Sequence, residues 1–288
     1  MRLYRDFQTQ EEIDAEYNLE AVLDMSRYAA WFEATSQNAR STLDSQPAVR
    51  YGPSLDETLD IFPARTTSSP VIVFIHGGWW RSLSRHEFSL VALGPVARDI
   101  TVVVIDYSLC PKVSITEITR QSRAAVAWVR ANIADYGGDP ERIFVAGHSA
   151  GGHQVGMLAV TDWAGEYGFR TPPIAGCIPI SGLFDLRPFR YSWLQPKLLL
   201  THDTINRQSP LFHVQNAPTH PPMLITLGGE ESAEFHRQSA EFADAWRAAG
   251  GSAEVFDQPG RDHITAIEGL ADPGSELCDA MTRFIGTV

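Results

Sequence analysis

Positive charge is scarce in this sequence: 23 lysines and arginines stand against 35 aspartates and glutamates, a formal net charge of −12. A field of that sign repels phosphate backbones and anionic headgroups, so neither nucleic acid nor a membrane surface is expected as a partner. Cysteine is scarce as well. Cys110, Cys177 and Cys278 are odd in number and far apart, which excludes a disulfide framework and a clustered thiolate metal site. No apolar run reaches the roughly 18 residues that a membrane-spanning helix needs. The opening Met1-Arg2-Leu3-Tyr4-Arg5-Asp6-Phe7 lacks the apolar stretch of a signal peptide. A reducing, cytoplasmic setting is the expectation. Internal repeats and low-complexity linkers are also missing, and no H-E-x-x-H spacing or cysteine pair accompanies His148 and His153, so no catalytic metal is expected.

What is present is core-forming material: 44 % of the residues are hydrophobic, enough for a sizeable interior. Short runs rich in valine and isoleucine recur at Leu59–Phe62, Val71–Ile75, Thr101–Ile105, Ile143–Ala146, Ile174–Ile180, Met223–Leu227 and Ala253–Phe256. Helical patterns fall between them at Arg85–Arg98, Ile115–Asp135, Ala150–Val160, Ala233–Ala249 and Glu276–Ile285. Near-continuous apolar strands joined by helices predict a mostly parallel central sheet covered on both faces, in one α/β domain spanning 1–288. Two segments stand outside this alternation. Residues 1–50, with a polar, aromatic-dotted stretch at Glu11–Asn38, read as a helical extension. Residues 187–222, with Trp193, a Leu198–Leu200 run and several prolines, read as a candidate cap insertion.

Gly147-His148-Ser149-Ala150-Gly151 follows the run Arg142–Ala146 and precedes a helical pattern. A serine on a strand–turn–helix needs small residues two positions to either side, because the turn brings strand and helix close together. Gly147, Gly151 and Gly152 meet that need and make Ser149 the candidate nucleophile. His76-Gly77-Gly78-Trp79-Trp80 follows the run Val71–Ile75. Glycines there free backbone N–H groups to face a substrate oxygen, so Gly77, Gly78 and Ala150 are the candidate oxyanion donors. Trp79, Trp80 and Tyr107 lie near strand ends and are candidate substrate-binding residues, with a core position an equal alternative for Tyr107.

A serine nucleophile needs a base after the last strand and an acid between the two. Of nine histidines, His263 alone lies beyond Ala253–Phe256, so it is the candidate base. The acid is expected in Gly228-Gly229-Glu230-Glu231-Ser232, where spacing leaves Glu230 and Glu231 both open. Asp257 and Asp262 are expected to be solvated surface charges.

With these residues in place, the chain resembles the arylformamidases, or kynurenine formamidases, a branch of the α/β-hydrolase fold near the hormone-sensitive-lipase-like esterases. The resemblance runs from about Tyr51 to His263. It rests on H-G-G-W-W-R (His76–Arg81), D-Y-S-L-C-P (Asp106–Pro111), G-G-D-P-E-R-I (Gly137–Ile143) and G-H-S-A-G-G-H (Gly147–His153). It continues through I-S-G-L-F-D-L (Ile180–Leu186) and E-S-A-E-F-H-R-Q-S (Glu231–Ser239). In that branch an aspartate precedes the serine of the last segment. Glu231 occupies its place here, which implies Glu231 as the acid, one methylene longer. The resemblance further implies a cofactor-free serine hydrolase cleaving a small amide, an N-formyl arylamine such as N-formylkynurenine. A carboxylesterase for short acyl esters is the alternative. The expected partner is a small-molecule amide or ester, and a homodimer is the candidate assembly.

Overall fold

The expected apolar runs pair into one sheet in the computed structural model, which describes residues 2–288. The strands are β1 (Gln46–Arg50), β2 (Thr58–Phe62), β3 (Ser69–Ile75), β4 (Thr101–Ile105), β5 (Gly138–His148), β6 (Gly176–Ile180), β7 (Met223–Gly228) and β8 (Ala253–Gln258). Their spatial order is β1-β2-β4-β3-β5-β6-β7-β8. β1 and β2 are antiparallel, as are β2 and β4, and every pairing from β4 to β8 is parallel. The helices are α1 (Gln10–Tyr17), α2 (Met25–Thr42), α3 (Leu93–Ala97), α4 (Ile115–Asn132), α5 (Ala150–Ala159), α6 (Trp163–Tyr167), α7 (Gln195–Leu198), α8 (His202–Gln208), α9 (Ala233–Ala248) and α10 (Glu276–Thr287). None of the described helices is long and apolar enough to cross a membrane.

Side chains alternate across a strand, and here both faces are apolar. Val71, Val73 and Ile75 of β3 join one core, with α1, α4, α5 and α9. Ile72 and Phe74 join the other, with Phe32 of α2, Val96 of α3 and Phe284 of α10. That is why the strands read as unbroken runs. It also places α1 and α2 on opposite faces, so their connection, Asn18–Asp24, crosses the carboxyl ends of the strands.

Three expectations need correction. Arg85–Arg98 is not one helix but a 3₁₀ turn, Ser89–Ala92, followed by α3. Pro95 has no amide to donate to residue 91, and its ring crowds that carbonyl. Upstream, Asp60 (2.8 Å) and Asp106 (2.6 Å) hold the Arg85 guanidinium in a turn. The extension over residues 1–50 is not wholly helical, because it ends in β1. That edge strand is mostly exposed and carries Pro47 and an Ala48 with φ of 54°, so it lacks the alternation that marks a strand. The segment 187–222 does not cap the large cavity described below. It buries Phe189, Leu194, Leu198, Leu200, Ile205 and Val214 in the core shared with α4 and α9.

Candidate active site

Ser149 sits between β5 and α5 with φ 57° and ψ −116°, a conformation that a residue with a side chain rarely adopts. The surrounding glycines make the turn possible. A Cβ on Gly151 would lie 1.9 Å from the Ile75 carbonyl oxygen, and one on Gly147 would lie 2.6 Å from the Gly151 backbone. Helix α5 therefore starts directly against the end of β3, and only glycine fits at the contact. The Ser149 N–H donates to the Ile180 carbonyl at 2.9 Å, pinning the turn to β6.

The His76–Trp80 turn lies against it. A Cβ on Gly77 would come within 3.0 Å of the His148 carbonyl and 3.2 Å of Ser149 Cβ. Gly78 has φ 106°, and its carbonyl accepts from the amides of Arg81 and Ser82 at 3.0 Å each. Its amide and that of Gly77 donate to no backbone carbonyl among the described residues. The Ala150 amide is the first of α5, where helical N–H groups have no partner within the helix.

His263 and Glu231 meet at the ends of β8 and β7. The His263 Nδ1–H donates to Glu231 Oε2 at 2.6 Å, and both side chains are buried. Glu231 Oε1 is occupied in turn, accepting from Ser181 Oγ at 2.5 Å and the Gly228 amide at 2.7 Å. Glu230 is exposed and makes no such contact. Among the described residues no hydrogen bond joins Ser149 Oγ to the His263 ring, a contact that commonly closes only when substrate arrives. His148 packs beside His263, with ring centroids 4.7 Å apart, and its Nε2–H donates to the His263 carbonyl at 2.8 Å. Burial, reinforced by proximity to His263, pushes the His148 pKa well below the ordinary histidine value.

His148, Ser149 and His263 open onto a cavity of about 690 Å³. Its far wall comes from the Asn18–Asp24 connection and α2. Trp79 lines it; Trp80 and Tyr107 do not, and Tyr107 takes the core position, its equal alternative. Trp80 is fully buried, its indole N–H donating to His153 Nδ1 at 3.2 Å. Tyr107 is also buried, stacked 4.2 Å from His76 with its hydroxyl donating to the His76 carbonyl at 2.9 Å. Tyr107 thus holds the glycine turn from behind and Trp80 ties its end to α5, because a polar atom buried with an aromatic ring must find its partner inside. Asp262 likewise departs from expectation. It is not a solvated surface charge, since it accepts from Tyr28 Oη at 2.6 Å and from the amides of Ile264 and Thr265.

The model of the BD-FAE family matches residues 59–246, well over half of the chain. The chain belongs to the BD-FAE family. Kynurenine formamidase of Salmo salar is 28 % identical over 257 residues, covering 87 % of this chain and 85 % of that one. Esterase LipQ of Mycobacterium tuberculosis is 27 % identical over 268 residues, covering 83 % and 62 %. A solved structure of a thioesterase candidate from Silicibacter sp. TM1040 superposes with a TM-score of 0.81 at 30 % identity, over 94 % of this chain and 99 % of that one. This BD-FAE member is therefore an arylformamidase-like hydrolase with the α/β-hydrolase fold, near the hormone-sensitive-lipase-like esterases.

Two groups of residues around this candidate site were not singled out by the sequence. Ser181 was visible only as part of I-S-G-L-F-D-L, and its place just past the carboxyl end of β6 was the available signal, since open α/β sheets assemble their sites there. Leu23, Tyr28 and Phe32 of the N-terminal segment left no such signal, because their sequence does not show which face of the sheet they cross.

Proposed function

We propose that this hydrolase works through an acyl-enzyme on Ser149. The observation that supports this most is the shared cavity: Ser149, on its strained turn, and His263, backed at 2.6 Å by Glu231, open onto the same space. In the proposed reaction His263 Nε2 takes the Ser149 proton as Oγ attacks the substrate carbonyl carbon. The oxyanion of the tetrahedral intermediate is held by the amides of Gly77, Gly78 and Ala150. His263 then returns the proton to the leaving nitrogen or oxygen as that bond breaks. Water repeats the sequence, releasing the carboxylic acid and restoring Ser149. Glu231 accepts the Nδ1–H throughout, fixing the ring tautomer and stabilising the imidazolium. These steps balance without a cofactor.

The substrate reading is a small amide with an aryl leaving group, an N-formyl arylamine of the class that includes N-formylkynurenine. Supporting it are the kynurenine formamidase relative and Trp79, an aromatic wall beside the candidate oxyanion donors. A second reading, a carboxylesterase for short acyl esters, is favoured by the esterase relative and by the breadth of the apolar cavity. The test has two arms. A fluorophosphonate probe should label Ser149, and Ser149→Ala should lose both label and turnover while melting as the parent does. The kcat loss expected is on the order of 10⁶. Formanilide against phenyl acetate and phenyl butyrate then separates the two readings: esters winning by about tenfold or more would replace the amidase reading.

A further inference from the structure

The cavity beside Ser149 carries information about charge, given that Ser149 is the nucleophile as proposed. Its volume of about 690 Å³ suits a ligand of many atoms. A formyl or acetyl group would fill a small corner, so the rest must receive the other part of the substrate. That space is walled by Leu19, Leu23, Met25, Phe32, Phe88 and Ile264.

The carboxylates lining the cavity are Glu20, Asp24 and Glu33 on the far wall and Glu87 beside Phe88. No lysine or arginine lines the cavity among the described residues. Two of the four acids have cations outside it, Arg81 at 3.0 Å from Glu20 and Arg40 at 3.5 Å from Glu33. Glu87, half-buried, is held by neutral donors and makes no ion pair among the described residues. It accepts from the Ser84 amide at 2.9 Å and its hydroxyl at 2.6 Å. Asp24 is solvent-exposed, accepts from the Ser26 amide at 3.2 Å and hydroxyl at 2.6 Å, and has the Arg27 cation near it. On the near wall, burial keeps His148 uncharged, so it supplies no cation either. An organic anion entering here would lose water to an apolar wall, find no cation on it, and face the half-buried Glu87 carboxylate.

We propose that this cavity selects an aryl group without net negative charge and rejects an anionic one, with Glu87 as a specificity-determining residue. Among N-formyl arylamines, those without a net negative substituent are then the substrates; the amino-acid group of N-formylkynurenine, a zwitterion, carries no net charge. The same rule holds for aryl esters.

The experiment uses isosteric pairs that differ only in charge. The full-length enzyme is assayed on 4-formamidophenylacetamide against 4-formamidophenylacetate, and on 4-acetoxyphenylacetamide against 4-acetoxyphenylacetate. The neutral member of each pair should have the higher kcat/KM by at least about tenfold, a gap that narrows as salt is added. Met25→Arg, which brings a cation to the wall, should shrink the ratio several-fold. Protection of Ser149 from a fluorophosphonate by the two members of each pair gives the same ratio where turnover is slow. Labelled, active enzyme with equal or reversed preference would overturn the charge selection and leave the Ser149 reading standing. Enzyme with neither labelling nor turnover would overturn the Ser149 reading and this inference with it.

Discussion

The two walls of the cavity are built on different principles. On one side, at the ends of β6, β7 and β8, the polar atoms are tightly bonded: Glu231 alone accepts from His263, Ser181 and Gly228 within 2.7 Å. His148 is locked to the His263 carbonyl, and Phe235 packs on the His263 ring at 4.4 Å. On the other side the Asn18–Asp24 connection presents half-buried Leu19 and Leu23, and its Val22 is 72 % exposed. That wall is tied down at its flanks, by Tyr28 to Asp262 and by the Ser232 hydroxyl to the Glu16 carbonyl at 2.7 Å. Buried polar groups tolerate no misplacement, whereas a half-exposed apolar wall can shift at little cost. Changes on the first wall should therefore fall on kcat, and changes on the second on KM.

The largest effect expected from this contrast is at Glu231. Glu231→Gln should lower kcat by about 10⁴, because the amide can present a donor to Nδ1 and favour the wrong tautomer. Glu230→Gln, on an exposed side chain, should leave kcat within a factor of about two. Steady-state kinetics on the two variants decides it, and the reverse order would break the assignment of walls.

Acid should expose the cost of burying histidines on and behind this wall. His153 is fully buried, its Nε2–H donating to the Gln208 carbonyl at 2.6 Å, and burial pulls its pKa down from 6.5 to about 4. His148 is shifted in the same direction. Between these values the unfolded chain binds protons that the native rings refuse, so stability is retained above about pH 6.5 and falls as pH drops toward 4. For His153 the loss is up to about 3 kcal/mol, roughly a hundredfold in the folding equilibrium. Denaturant midpoints measured from pH 7 to pH 4.5 should decline, with a shallower slope in His153→Gln.

Ser181→Ala removes one donor from the buried Glu231 carboxylate, leaving only the Gly228 amide on Oε1. A hydrogen bond to a charged group is worth about 1.5–3 kcal/mol, so kcat should drop about tenfold or more with KM unchanged. Ser181→Thr should recover part of it, and an equal loss in the threonine variant would make Ser181 merely a packing residue. The smallest effect belongs to the loose wall. Leu23→Ala should raise KM about three- to tenfold for aryl substrates at nearly constant kcat, the outcome of losing part of a half-buried apolar side chain. A kcat collapse there would show that the two walls are mechanically coupled.

Much of the fold and the Ser149 end of the candidate site was legible in the residues. The doubly buried strands announced themselves as unbroken apolar runs, because both sheet faces are covered. Ser149 and the His76–Trp80 turn were legible because close backbone approach admits only glycine at Gly147, Gly151 and Gly77, a constraint local enough to leave a motif. His263 followed from chain order. The choice of Glu231 over Glu230, by contrast, needed either a resemblance or the tertiary structure, since both side chains are long enough and only the packing of β7 against β8 aims one at the ring. Tertiary structure also turned Trp80 and Tyr107 inward, where His153 and the His76 carbonyl satisfy their polar atoms. It carried Asn18–Asp24 across the strand ends and folded 187–222 away from the cavity. Which segment covers a site depends on contacts between residues two hundred positions apart, such as Tyr17 with Glu234 and Tyr28 with Asp262, and local pattern holds no record of such pairings.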